Sequence, residues 1–209
     1  MMEAARDSFA QASRELLRDR VLDSVGELAS ARPWSEVTMA EVAMAAGVSR
    51  QTLYNTFGSR QEMAQAYVMR EAERFVDAVS GAIRSRPDDP RDALRAALEI
   101  FLGAAETHPL IRAVASAESG DEFLPLVTTR GGPLVADVTG RFSELMLETW
   151  PGLAAGDARL VADCLVRLAI SHAALPVGTP ASTADSVARI LGPFVDRLLA
   201  EIRAEGSQA

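Results

Sequence analysis

The sequence predicts an all-α protein: an N-terminal three-helix helix-turn-helix domain followed by a larger C-terminal helical domain. Three observations predict it. Alanine is abundant and aromatics make up only 5% of residues, a balance that favours helices, since aromatic and β-branched residues build strands. Apolar residues recur at helical spacing, and no segment alternates with period two over a useful length. Proline, glycine and helix-capping residues punctuate the chain at helix-sized intervals. With 209 residues, 48% of them hydrophobic, the chain can bury a real core.

The first helix is read from Phe9, Ala12, Leu16, Leu17, Val21, Val25 and Leu28, which share one helical face. Arg32-Pro33 ends it, because proline disfavours helix in the residue before it. Thr38 and Glu41 form a capping-box pattern that starts a second, short helix. Gly47 stops that helix and suits a left-handed C′ position. Ser49 caps a third short helix that runs to about Asn55 or Thr56. Gly58-Ser59 breaks it, and Ser59 with Glu62 reads as a second capping box. A fourth helix then runs towards Arg86. "RPDDP", residues 86–90, is the strongest break. Further helical patterns follow at about 89–106, 108–117, 132–150, 156–174 and 182–204. This divides the chain into a reading domain at 1–58, a linking helix at 59–86 and a body at 87–209.

The second and third helices are each too short to be stable alone, since isolated helices under about 12–15 residues are marginal in water. Two short helices around a glycine turn form a helix-turn-helix. Val42, Ala43, Ala46, Val48 and Leu53 pack inward on the first helix. Arg50, Gln51, Thr52, Tyr54 and Asn55 then face outward. Arginine pairs with guanine and glutamine or asparagine with adenine, while threonine meets a thymine methyl. The chain carries a net charge of −8, which argues against whole-surface binding to nucleic acid. From Val42 to Gln61, however, there is no acid, and Arg50 and Arg60 fall in that window. The alternative is a small three-helix unit whose polar face is merely solvated.

The stretch "TMAEVAMAAGVSRQTLYNTFGSRQEM" resembles the DNA-binding signature of the TetR family of bacterial transcriptional regulators, over about residues 10–70. Asn55 departs from the family's usual histidine or tyrosine, and Arg60 from its commoner lysine. The resemblance implies phosphate-contacting roles for Thr38, Ser49, Tyr54 and Arg60. It puts Arg50, Gln51, Thr52 and Asn55 on the recognition helix. "RPDDPRDALRAALEIFLGAAETHPLIRAV", "PLVTTRGGPL" and "ADCLVRLAISHAALP" resemble regulators encoded beside alkane hydroxylase and rubredoxin genes in high-GC bacteria. That likeness implies a fatty-acid-like, acyl-coenzyme A-like or alkane-related effector and a repressor released by it. A regulator of efflux or stress genes sensing another hydrophobic compound is the alternative.

The resemblance further implies that the body binds a ligand and dimerises. Phe101, Leu102, Phe123, Leu126, Leu134, Val138, Phe142 and Met146 are candidates for an apolar cavity, or fill an ordinary core. Arg112, Arg167 and His172 are candidate polar anchors; the alternative, slightly favoured, is a capping His108 and a hydrogen-bonded core His172. Val187, Ile190, Leu191, Phe194 and Leu198 form a stripe wide enough for a partner helix, unless the monomer buries it. A helix-turn-helix reader gains affinity from two half-sites, so a twofold homodimer on a palindromic operator is expected.

An enzyme is the competing class. The chain lacks a glycine-rich phosphate loop and a GxSxG motif, and Asp88-Asp89 reads as the start of a helix. The two histidines and Cys164 are scattered in sequence, so no metal or cofactor is expected. The single cysteine excludes an intrachain disulfide and suits a reducing compartment. With an acid-bearing N-terminus and charge-broken apolar runs, the expected location is cytoplasmic, with no membrane partner.

Overall fold

A computed structural model describes residues 2–108, 110–111, 123–127 and 129–206, with side chains from 11 to 201 within these apart from position 124. Among the described residues every regular element is helical. α1 (Met2–Ala31) leads through a single 3-10 turn (Trp34–Glu36) to α2 (Met39–Ala45) and α3 (Arg50–Phe57). α4 (Arg60–Arg84) connects to α5 (Pro90–Thr107). Then follow α6 (Phe123–Val127), α7 (Gly132–Thr149), α8 (Ala155–Ala174) and α9 (Pro180–Gly206).

Local chemistry accounts for the boundaries. The Thr38 hydroxyl accepts from the Glu41 amide, and the Thr38 amide donates to the Glu41 carboxylate at 2.9 Å, so the expected capping box forms. Arg32 donates to the other Glu41 oxygen at 2.5 Å, tying the end of α1 to the start of α2. At the far end of α2, Gly47 has φ +65. The Val48 amide reaches back to the Ala43 carbonyl and the Gly47 amide to that of Met44, the paired bonds of a Schellman motif. The second expected box forms only by half. Ser59 accepts from the Glu62 amide, but the Glu62 carboxylate lies over Gly58. Asp89 caps α5 through the Asp92 amide at 2.9 Å, with Pro90 at the first helical position.

Two apolar cores result. The first joins Val21 and Val25 of α1 to Val42 and Ala46 of α2, Leu53 and Phe57 of α3, and Met63 and Tyr67 of α4. Gly26 lets α1 approach closely, because a side chain there would crowd the Tyr67 ring. Burial pushes the Tyr67 phenol well above its ordinary range. The second core is the body, where α5 packs on α9, α7 on α8, and α4 on both α5 and α7. Gly192 admits Arg91 from α5 against α9, where it pairs with Asp196 at 2.8 Å.

α6 was expected to be part of a break, and it is a single helical turn. It projects Phe123 and Leu126 into the first core, so the body reaches into the reading domain. The helix expected at 108–117 and the candidate anchor Arg112 lie mostly or wholly outside the described residues.

Candidate DNA-reading face and effector cavity

α3 is held by Leu53 and Phe57, both buried, and leaves Arg50, Gln51, Tyr54 and Asn55 exposed. Ser49 accepts from the Thr52 amide at 3.0 Å, and the two hydroxyls bond at 2.8 Å. The Gln51 side-chain amide donates to the Asn55 oxygen at 2.9 Å. Thr38 is exposed at the start of α2. Thr38, Ser49, Arg50, Gln51 and Thr52 lie at the starts of two short helices, with Tyr54 and Asn55 one turn further along α3; helix-start amides and hydroxyls suit phosphates, and polar side chains suit base edges.

Arg60 is placed differently from its expected phosphate role. Its guanidinium stands over the Trp34 ring, 5.0 Å from the centroid, and donates to the Trp34 carbonyl. Cation–π attraction and the carbonyl bond turn it inward, so it pins the 3-10 turn to α4. Arg18 and Arg20 of α1 were not singled out beforehand. Arg18 covers Phe57 at 4.8 Å, and Arg20 is exposed beside Gly47 at the helix-turn-helix corner.

The body holds a partly open cavity of about 110 Å³ between α4, α5, α7 and α8. α4 contributes Val68, Ala72 and Phe75; α5 contributes Leu98 and Phe101; α7 contributes Val138 and Phe142; α8 contributes Leu165 and Ile170. Every described lining residue is apolar. Phe101, Leu134, Val138 and Phe142 were expected there. Phe123, Leu126 and Met146 are not in the lining. Phe123 stacks between Trp34 and Tyr67, Leu126 joins the same core, and Met146 is fully buried in the body core. Two of the candidate polar anchors also lie outside the described lining. Arg167 is exposed on the outer face of α8 and pairs with Asp163 at 2.8 Å. His172 borders a separate small surface cleft with Leu102 and Pro176. Helical spacing finds apolar faces but cannot say which of two cores a face joins.

A buried polar cluster lies beside the cavity. Glu71 of α4 is buried, and its carboxylate meets His108 Nε2 at 3.1 Å and both Arg70 and Arg74 at 3.1 Å. Burial pushes its pKa up, yet the His108 bond and the two arginines outweigh burial and leave it lowered. Arg70 also binds the Asp19 carbonyl and Asp23 of α1. The cluster thus spans from the reading domain to the end of α5.

The expected dimer stripe splits. Val187 and Leu198 are buried in the subunit's own core, while Ile190 is 75% exposed. Leu191 and Phe194 are half-buried, and Arg197 covers the Phe194 ring at 5.3 Å. Leu160 of α8 is also exposed.

A capped, exposed, polar helix on a three-helix head, carried by a helical body, is the architecture of a helix-turn-helix regulator. Residues 21–67 match the bacterial regulatory proteins of the tetR family. Residues 89–193 match the bacterial tetracyclin repressor C-terminal domain. The chain belongs to the TetR family of transcriptional regulators. It is 35% identical to the HTH-type transcriptional regulator AlkX of Mycobacterium tuberculosis, over 92% of this chain and 91% of that one. The crystal structure of the TetR-family repressor AlkX from a Dietzia species, implicated in biodegradation of n-alkanes, superposes with TM-score 0.77 at 36% identity. The match covers 87% of this chain and 96% of that one. A TetR-family regulator of Pectobacterium atrosepticum shares the fold alone, with TM-score 0.62 at 16% identity, covering 90% of this chain and 96% of that one. These relatives are regulators, not enzymes. TetR regulators bind operator DNA as dimers and take small-molecule effectors. No described helix is long and apolar enough to cross a membrane.

Proposed function

We propose that the chain is a homodimeric repressor that leaves a palindromic operator when an elongated apolar ligand enters the body cavity. The cavity itself carries this reading: its described lining is wholly apolar and includes Val68, Ala72 and Phe75 of α4, the helix that also supports the reading head. Burying each methylene of a chain contributes about 0.8 kcal/mol, so a linear hydrocarbon chain suits such a lining. A ligand shifts the DNA-binding equilibrium only by its differential affinity for the two states. α4 touches cavity and head, and is therefore the proposed lever. The named alkane association of the Dietzia relative supports genes of alkane or lipid metabolism as targets. Thr38, Ser49 and Tyr54 serve as phosphate contacts, and Arg50, Gln51, Thr52 and Asn55 face the bases. Dimerisation uses the outward faces of α8 and α9, with Leu160 and Ile190 at the contact. The proposed site of action is the cytoplasm, where the operator lies.

The test is operator release followed by fluorescence anisotropy while fatty acids and acyl-coenzyme A esters of graded length are added. Release should strengthen with chain length until the cavity is full. Release only by compact polar compounds, or without a length trend, would overturn the effector reading and leave the regulator reading intact.

A further inference from the structure

His108 closes α5 two residues before Leu110, and Leu110 and Ile111 line the cavity. Its ring stands edge-on to Phe75, with centroids 5.0 Å apart at 61°. Phe75 stands edge-on to Phe101 in turn, also at 5.0 Å, and both phenyl rings line the cavity. The imidazole therefore packs behind the lining residue Phe75, inside an aromatic cluster, and is not itself among the described lining residues. Its Nε2 faces the Glu71 carboxylate at 3.1 Å. Its Nδ1 is buried and has no hydrogen-bond partner among the described residues.

An orphaned polar atom in a buried setting is unfavourable, and native proteins keep few of them. The chemistry here is specific. Glu71 accepts only, so Nε2 carries the hydrogen of that bond. The neutral ring then offers a lone pair at Nδ1, and the protonated ring offers an N–H. A hydroxyl satisfies the first and a carboxylate oxygen the second. A plain hydrocarbon satisfies neither.

We infer that His108 Nδ1 is the head-group subsite of the cavity, taking the terminal oxygen of an alkyl alcohol or alkyl carboxylic acid whose chain lies along Phe75 and Phe101. This rests on the chain-binding reading above and adds the polarity and location of the ligand's end. Glu71 orients the imidazole, and Arg70 ties Glu71 to the Asp19 carbonyl of α1 at 2.9 Å. The head group thus meets the polar cluster that ties Glu71 and His108 to α1. The wholly apolar lining sets chain fit, and the imidazole distinguishes oxidised chains from the parent hydrocarbon.

The experiment compares dodecane, dodecanol and dodecanoic acid on the wild-type dimer and on His108→Phe, which keeps an aromatic ring beside Phe75 and removes Nδ1. One hydrogen bond to a buried group is worth about tenfold in affinity. His108→Phe should weaken dodecanol and dodecanoic acid about tenfold and change dodecane less than twofold. Comparing the two proteins cancels the different costs of drying each ligand. In case the variant folds poorly, nitrogen-15 NMR of the wild type gives a second readout. The chain has two histidines, and the His108 Nδ1 resonance should move with dodecanol or dodecanoic acid but not with dodecane. Equal weakening of all three ligands, or an unmoved Nδ1 resonance on saturation with the alcohol and acid, would overturn the subsite. If none of the three binds, the chain-binding reading falls and takes the subsite with it.

Discussion

Phe123 of α6 packs on Trp34 of the turn after α1, with ring centroids 5.1 Å apart at 33°. One residue belongs to the body and the other to the reading head. Both are buried to within 1% of full burial, and Tyr67 closes the stack from α4 at 5.7 Å from Phe123. Val127, one turn on, lies in this core and in the cavity lining alike. Phe123→Ala should cost about 3–5 kcal/mol, the usual range for emptying a packed phenylalanine site. It should also loosen the link between ligand binding and operator release. Thermal unfolding checks the first effect, and operator affinity with and without saturating ligand checks the second. Unchanged stability would mean the stack contributes nothing.

Arg50 and Arg60 should separate cleanly. Arg50 is exposed on the recognition helix, so Arg50→Ala should leave the melting temperature alone. It should weaken specific operator binding by about 1–3 kcal/mol if the side chain makes a bidentate base contact. Arg60 faces Trp34, so Arg60→Ala should lower stability while the slope of affinity against salt stays put. A slope reduced by about one unit would restore Arg60 to the phosphate contacts.

Val187 and Ile190 lie one turn apart on α9 but differ sharply, at 5% and 75% exposed. Val187→Asp buries an unpaired charge in the subunit's own core and should prevent folding. Ile190→Asp should leave the helical circular dichroism intact and shift the protein from dimer to monomer in sedimentation. A folded, fully dimeric Ile190→Asp protein would move the interface elsewhere.

Glu41 carries a pH signature. Its bond to Arg32, then its bonds to the Thr38 hydroxyl and amide, lower its pKa from the ordinary 4.5 to about 2. The folded state therefore prefers the ionised form. Its contribution is complete above the unfolded value and disappears as pH falls through the folded one. Melting temperatures measured from about pH 5 down to about pH 2 should fall less steeply for Glu41→Gln than for wild type. Identical slopes would show that the cap is not held by this carboxylate.

Much of the reading head was legible in the sequence because its signals are local. Thr38, Glu41, Gly47 and Ser49 act on neighbours within five residues, and each sits where the capping and turn rules place it. The contact of Arg60 with Trp34 was not legible, because the two are 26 residues apart. The body was legible as helices but not as a site. Phe101, Phe123, Phe142 and Met146 look alike in a periodic pattern, yet two line the cavity, one enters the reading head and one fills the core. The α9 stripe was legible only in part: the structure divides it between the subunit's own core and solvent. Glu71 and His108, 37 residues apart, gave no sequence signal as a pair.

The bond from Gln51 to Asn55 has a consequence for how an operator is found among other sequences. Away from DNA these two side chains already satisfy each other at 2.9 Å, and their rotamers are held on the exposed face of α3. On the proposed reading, a stretch of DNA met through its phosphates alone would give them no partner to part for. Opening the pair is offset only where a base edge supplies both a donor and an acceptor, as adenine does in the major groove. If α3 reads bases as proposed, a closed pair there would shorten residence at wrong sequences and leave the proposed backbone contacts as they are.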